Sequence, residues 1–268
     1  MSSSPDLVIA SYAAHTERYE NPRNLQSCWG RLSDALTRRV VPGPNDRLVV
    51  EVGCGLGRAL HTLAAGHPAR FIGIEPAGPM RERARERLAS CPNVELRPGR
   101  FEALPLEDQS VDCLYSLLAF HWTQDATRSV TELRRVLRPG GRMDLFFPGR
   151  FTGQEFTVAT MPVFLRRFGV NWLRDAASRR QHLSAEATRD LFQSAFAEVS
   201  VSEKSERHHD DLEGHWSWWM ARAVAHLPEM PHEARVDCDQ EIRTALQALA
   251  TPQGIPYTIH LIHVSATR

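Results

Sequence analysis

The feature that most restricts this chain is a short apolar run that stops on glycines, Arg47-Leu-Val-Val-Glu-Val-Gly-Cys-Gly-Leu-Gly57. A run this short and this apolar suits a strand buried on both faces. The Gly-x-Gly turn behind it lets backbone pass close to a ligand, with a helix N-terminus just beyond. The run is also the first of a series. Strands are expected over residues 47–52, 70–75, 93–97, 111–118 and 142–147, with helices over 58–65, 79–90 and 123–137 between them. Alternation at this pitch builds βαβ units, hence an α/β fold with a doubly wound parallel sheet.

The flanks read differently. Residues 1–8 look loose, and residues 9–39 look helical in two pieces broken near Asn21-Pro22, because proline disfavours helix in the residue before it. After Pro148 the pattern turns helical over 154–181 and over 184–196, with Ser184 as N-cap. A sixth strand over 197–202, two helical stretches within 212–250 and a last strand over 257–266 complete the chain. Three segments result: a helical cover (1–40), a ligand-binding core (41–148), and a C-terminal part (149–268) that mixes helical lid insertions with the last helix and strands of the core.

Charge and cysteine content narrow the function classes. In 268 residues, 32 Lys and Arg balance 32 Asp and Glu, so the basic excess of a nucleic-acid binder is missing. Five cysteines, an odd number with no Cys-x-x-Cys pair, argue against a disulfide framework or a zinc knuckle. The start lacks a basic and then apolar leader pattern, and no run of about 18 apolar residues occurs. A soluble cytoplasmic protein is the expectation, with monomer and homodimer both open.

Two acids sharpen the glycine loop. Glu51 stands two residues before Gly53, where a carboxylate would repel a pyrophosphate and attract a cation. The sixth position of a dinucleotide fingerprint would be Arg58, not Gly or Ala, which also disfavours a nicotinamide cofactor. Glu75 ends the second strand, where an acid can accept both hydrogen bonds of a ribose diol. The plainer alternatives are a structural turn for the glycines and a helix-capping acid for Glu75.

Residues 47–147 resemble the class I S-adenosylmethionine-dependent methyltransferases, in particular the ubiquinone/menaquinone and malonyl-carrier-protein types. Five stretches carry the resemblance: Val50-Glu-Val-Gly-Cys-Gly-Leu-Gly, Gly73-Ile-Glu-Pro, Phe101-Glu-Ala-Leu-Pro-Leu-Glu-Asp-Gln-Ser-Val-Asp, Ser116-Leu-Leu-Ala-Phe-His-Trp and Glu132-Leu-Arg-Arg-Val-Leu-Arg-Pro-Gly-Gly. It implies a Rossmann-like sheet of seven strands, the last antiparallel, with a mainly helical cap. The implied cofactor is S-adenosylmethionine, with S-adenosylhomocysteine as product. Gly53, Cys54, Gly55 and Gly57 would line its methionine and ribose part, with Glu51 as the acid that suits its positive charge. Glu75 would hold the ribose hydroxyls. Pro76 and Met80 would pack near adenine, and Leu117 would offer backbone. Tyr19 would touch the methionine end. Where the family usually carries Gly-Asp-Ala, this chain has Gly99-Arg100-Phe101, so the adenine contact of that Asp is lost or replaced. Arg100 could stack on the base, and Phe101 could supply its backbone N–H.

The implied reaction is methyl transfer to O or N of a small metabolite, with natural-product biosynthesis as a candidate setting. Substrates in open α/β sheets sit beyond the carboxyl ends of the strands. That edge holds His121, read as a base or substrate hydrogen-bonder, and Trp122. Tyr12, His15 and Tyr19 share one helical face by spacing. Trp172 belongs to an aromatic lid set with Phe156, Met161, Phe164, Phe168, Trp216, Trp218 and Trp219, which either lines a pocket or forms the lid's own core. His208-His-Asp-Asp211 with His215 is not read as a metal site, because adjacent histidines on extended chain point to opposite sides; His215 is kept as a substrate contact. Three alternatives stand beside this reading. One is a carboxyl methyltransferase for a carrier-protein-bound acyl group, docked on Arg166, Arg167, Arg174, Arg179 and Arg180. The others are a non-catalytic S-adenosylmethionine-binding protein and a nicotinamide-dependent oxidoreductase.

Overall fold

The computed structural model describes residues 5–222 and 230–268. The start expected to be loose lies outside these residues over 1–4 and is helical over 5–8, and the helical region expected over 212–250 lies partly outside them. The chain divides into two compact units.

The larger unit, Ser33–Arg150, Arg180–Lys204 and Leu261–Arg268, holds most of the sheet. Its strands are β1 (Leu48–Val52), β2 (Arg70–Ile74), β3 (Val94–Arg97), β4 (Val111–Leu117), β5 (Leu137–Pro148), β6 (Glu198–Asp210) and β7 (Ile255–Thr267), in the order β3-β2-β1-β4-β5-β7-β6. β1 pairs in parallel with both β2 and β4, and β7 runs antiparallel to β5, as the resemblance implies. The strand order reverses direction at β1 and β4, so the crevice for a ligand lies beyond their carboxyl ends.

Side chains alternate across the sheet. Val50, Val52, Ile72, Ile74, Leu114, Leu145 and Phe147 share one buried cluster. α7 (Ala126–Val136) covers it with Val130, Leu133 and Val136 at helical spacing, capped by Asp125, which accepts from Arg128 N–H. α9 (Ala185–Gln193) adds Phe192; its cap is Ser184, which accepts from Ala187 N–H. On the opposite face, α5 (Arg58–Ala64) packs Leu60 so close to Gly73 that a Cβ there would meet it at 2.5 Å. α6 (Gly78–Arg87) follows β2.

Three expectations need correction. α7 ends at Val136, and β5 already starts at Leu137, because Gly140 (φ 74) turns within the strand and Gly140 and Gly141 exchange hydrogen bonds with Arg268. β6 runs on to Asp210, well past residue 202. The N-terminal helices are four, α1 (Pro5–Ala14), α2 (Thr16–Glu20), α3 (Pro22–Gln26) and α4 (Cys28–Thr37), with breaks at His15 and Ser27 as well as at Asn21.

The smaller unit comprises residues up to Leu32, Phe151–Arg179 and Ser205–His260. α8 (Gln154–Ser178) kinks at Gly169. α10 (Leu212–Arg222) and α11 (His232–Gln247) follow. Phe156, Phe164, Trp218, Trp219, Trp29 and Tyr257 form a connected aromatic core, with neighbouring ring centroids 4.7–6.5 Å apart. No described helix is long and apolar enough to cross a membrane.

Candidate functional site

The site is built at the carboxyl ends of β1, β2 and β4. Gly53 (φ 76) and Gly55 (φ 52) carry the chain through left-handed conformations that favour glycine. A Cβ on Gly53 would sit 2.3 Å from the Ala119 Cβ, so this glycine lets the β1 and β4 loops touch. Gly55 is open by contrast: a Cβ there would meet only the Met80 Cε, at 3.7 Å.

The loop amides are spoken for. Gly53 and Cys54 N–H both donate to the Ile74 carbonyl, at 2.8 and 3.1 Å, and Gly57 N–H donates to Cys54. Gly55 N–H donates to Glu75 Oε2 at 3.0 Å. A phosphate-binding turn presents such N–H groups to its ligand. Here a carboxylate and a carbonyl already take them, which agrees with the argument against a dinucleotide.

Glu75 is buried at the end of β2, and its Oε1 accepts from Ala77 N–H at 2.9 Å. Each carboxylate oxygen thus keeps a second lone pair for a ligand. Burial pushes its pKa above the usual carboxylate range, and the Ala77 and Gly55 amides oppose this. Arg81 lies nearby, but its Nη1 donates to the Glu75 and Pro76 carbonyls, at 2.7 and 2.9 Å. Glu51 is buried one strand away and accepts from the Tyr115 phenol at 3.2 Å. Burial raises its carboxyl to about 8; the Tyr115 hydrogen bond opposes this and the charge of Glu75 adds to it. Burial and both acids keep the Cys54 thiol protonated. Neither Glu51 nor Glu75 has an ion-pair partner among the described residues.

β4 supplies the second wall. Leu117 is buried, and Leu118 after it stands at φ 61, a left-handed conformation rare for leucine. Strain of this kind costs about 1–3 kcal/mol and clusters at ligand sites. Phe120-His121-Trp122 then form one 3₁₀ turn. His121 is buried, stacks beside half-buried Trp122 at 4.5 Å, and receives Gln181 N–H on its carbonyl at 2.8 Å. Glu102 ties this turn to the preceding loop, accepting from Thr123 Oγ1 at 2.6 Å and Gln124 N–H at 2.7 Å. Phe101 turns its ring into the core against Phe120, at 5.2 Å. Arg100 is exposed and pairs with no acid among the described residues.

Glu51, Gly53, Cys54, Gly55, Glu75, Pro76 and Met80 therefore lie on the ends of β1 and β2, in the turns that follow them and in the first turn of α6. Tyr115, Leu118, Arg81 and Glu102 do not stand out in the sequence. Tyr12, His15, Tyr19, Trp172 and His215 belong to the smaller unit. There the Tyr12 and Tyr19 rings meet at 5.3 Å, tilted by 48°, and His15 Nδ1 donates to the Ser11 carbonyl at 2.9 Å. Trp172 packs on Phe168 at 4.7 Å. His215 is fully buried, and its Nε2 donates to the Ile255 carbonyl at 2.9 Å. Asp210 and Asp211 have structural partners. Asp210 receives Cys28 N–H and Arg31, and Asp211 receives Arg23 and Gly214 N–H.

The comparisons with known proteins agree with this geometry. Residues 50–144 match the family described as methyltransferase domain. An uncharacterized 37.1 kDa protein in transposon TN4556 of Streptomyces fradiae is 39% identical over 144 residues, covering 53% of this chain and 39% of its own. A malonyl-[acyl-carrier protein] O-methyltransferase of Methylococcus capsulatus is 35% identical over 153 residues, covering 57% of this chain and 55% of its own. The chain thus spans about two fifths to just over half of the length of these relatives. In fold it resembles phosphoethanolamine N-methyltransferase 2 of Haemonchus contortus, with a TM-score of 0.65 at 14% identity over 100% of this chain and 60% of that one. YcgJ of Bacillus subtilis gives a TM-score of 0.61 at 19% identity, over 89% and 98%. The methyltransferase-domain match thus lies on the very strands and loops that gather Glu51 and Glu75.

Proposed function

We propose that the chain transfers the methyl group of S-adenosylmethionine to an oxygen or nitrogen of a small-molecule metabolite. The observation that carries this is the pair of buried acids, Glu51 and Glu75, beside an open glycine and without an ion-pair partner among the described residues. A buried carboxylate without a partner is costly. A ligand with both a positive charge and a vicinal diol supplies what the two acids lack, and S-adenosylmethionine has both. Glu75 would hold the ribose hydroxyls, Glu51 would face the charged methionine end, and Met80 and Pro76 would flank the base. When bound, the cofactor supplies an electrophilic methyl on its sulfonium.

The chain's own contribution is alignment and exclusion of water, which can lower a barrier by roughly 7–11 kcal/mol. His121, held by Gln181 and Trp122 on the same sheet edge, is proposed to hydrogen-bond the acceptor or take its proton. Trp122 is proposed as a neighbouring substrate contact. Tyr19 keeps its proposed cofactor role on the resemblance, and Tyr12, His15, Trp172 and His215 keep theirs as substrate contacts on the sequence pattern alone.

Thermal unfolding with S-adenosylhomocysteine or with NAD(H), each at about 1 mM, tests the cofactor. Ligand at 100 times its Kd stabilises by about 2.7 kcal/mol, a shift of several degrees. The expected shift appears with S-adenosylhomocysteine and disappears in Glu75→Ala. A shift with NAD(H) alone would overturn the proposal.

The similarity to the Methylococcus enzyme favours a second reading, carboxyl methylation of a carrier-protein-bound acyl group. The proposed docking arginines weaken it. Arg166 and Arg167 share Glu241, and Arg179 pairs with Asp175, so two carboxylates offset part of the positive charge that docking would use. Salt-sensitive binding of an acyl carrier protein would support this reading instead.

A further inference from the structure

Tyr115 has no place in the reading above, yet it is fully buried and faces the acid that the reading depends on. Glu51 and Tyr115 are register partners across β1 and β4. The phenol donates to Oε2, and the Leu60 N–H of α5 also reaches the carboxylate. The other titratable groups around the pair are Glu75 beyond β2, the Cys54 thiol in the loop and the Cys113 thiol two residues back on β4. All of these are acids. The nearest cation, Arg81 of α6, has Nη1 on two backbone carbonyls. A second negative charge in such a place is unfavourable. Ligand-free Glu51 therefore keeps its proton.

We propose that Tyr115 is a positioning residue for cofactor binding: its phenol holds the Glu51 carboxyl, which gives its proton to solvent as the ligand's ammonium enters the loop. This rests on the S-adenosylmethionine reading. The exchange balances: a neutral carboxyl and an ammonium become a carboxylate–ammonium pair and one solvent proton. A phenol suits both states, since it can donate to a carboxyl oxygen or, more strongly, to a carboxylate. Phenylalanine would fill the same space without that donor.

The proposal predicts a proton count. With the ligand-free carboxyl at about 8, binding at pH 7 releases about 0.9 proton per ligand, and the release halves near pH 8 and is nearly gone by about pH 9. Below pH 8 the Kd rises about tenfold for each unit the pH falls.

The experiment is titration calorimetry of S-adenosylhomocysteine into the whole protein, in buffers of different ionisation enthalpy, from pH 6 to 8.5. Tyr115→Phe should move the release to higher pH and weaken binding several-fold at pH 7 but little at pH 8.5. A merely structural role would weaken binding equally at every pH. Glu51→Gln should bind without releasing a proton. Infrared difference spectra should show a carboxylic acid band lost on binding to the wild type and unchanged in Glu51→Gln. Tight binding with no proton exchange between pH 6 and 8 overturns the inference and leaves the cofactor reading standing. Failure of S-adenosylhomocysteine to bind at any pH overturns both.

Discussion

The two ends of the sheet treat buried acids in opposite ways. At the amino end, Asp46 and Asp112 are 7% and 4% exposed; at the carboxyl end, Glu51 and Glu75 are 3% and 8% exposed. Burial alone would raise the pKa of all four. Asp46 nonetheless stays below the usual range, because the Arg142 side chain and Gly43 N–H outweigh its burial. Asp112 does likewise through Arg138 and the N–H groups of Leu48 and Arg47. Among the described residues no arginine hydrogen-bonds Glu51 or Glu75, and both are raised, although the charge of Arg81 opposes this at Glu75. Similar exposure with opposite pKa shifts separates acids that complete the fold from acids that we propose await a ligand.

The sharpest way to break this comparison is to delete one acid at each end. Asp112→Ala strands Arg138 and two backbone donors and should cost about 3–5 kcal/mol in urea unfolding. Glu51→Gln, which removes a carboxyl that is already neutral, should cost under about 1 kcal/mol at pH 6. Equal losses would make Glu51 a structural acid and end the distinction.

A smaller effect is the pH dependence of the ligand-free protein. Glu51 titrates near 8 when folded and at roughly 4.3 when unfolded. Between these values the folded state holds the extra proton, so stability falls as pH rises, by at most about 1.4 kcal/mol per unit. The Asp112 contribution runs the other way: it is present above its unfolded pKa and is lost as the pH drops through its lowered folded value. Urea unfolding from pH 5 to 8 should show the falling limb in wild type and a flatter one in Glu51→Gln. An unchanged limb would mean that Glu51 is already ionised.

The ligand-binding end was legible where its chemistry is local. Gly53, Gly55, Glu51 and Glu75 announce themselves because a glycine turn and flanking acids form a pattern within one βα step. Tyr115 was not legible, because its partnership with Glu51 spans 64 residues and exists only through the β1–β4 register. Leu118 hid for another reason: nothing in a leucine signals a positive φ. The tail of β6, Glu203-Lys-Ser-Glu-Arg-His-His, carries no apolar alternation, since an edge strand can stay polar on both faces. Arg166 and Arg167 read as part of a docking patch because the acid they share, Glu241, lies far away in sequence.

The finest test of the comparison is Arg81→Gln, since among the described residues Arg81 is the cation whose charge reaches Glu75. Two roles are open to it, and they differ in size. As a clamp on the turn after β2, it contributes hydrogen bonds to the Glu75 and Pro76 carbonyls. Losing these should cost about 1 kcal/mol, since the freed carbonyls lie near solvent and a glutamine amide recovers part of the bonding. As the counter-ion of Glu75, it would leave a buried charge stranded, at about 3–5 kcal/mol. The geometry favours the clamp: the guanidinium approaches the backbone, while the Glu75 oxygens take amide donors from Gly55 and Ala77. The Arg81 charge still lowers the pKa of Glu75, so its removal should raise that pKa further and weaken S-adenosylhomocysteine binding a few-fold, more at low pH than at high. A loss of about 1 kcal/mol with this modest change in affinity keeps Glu75 among the acids awaiting a ligand. A loss near 4 kcal/mol would put it with Asp46 and Asp112, leaving Glu51 alone as the acid without a partner.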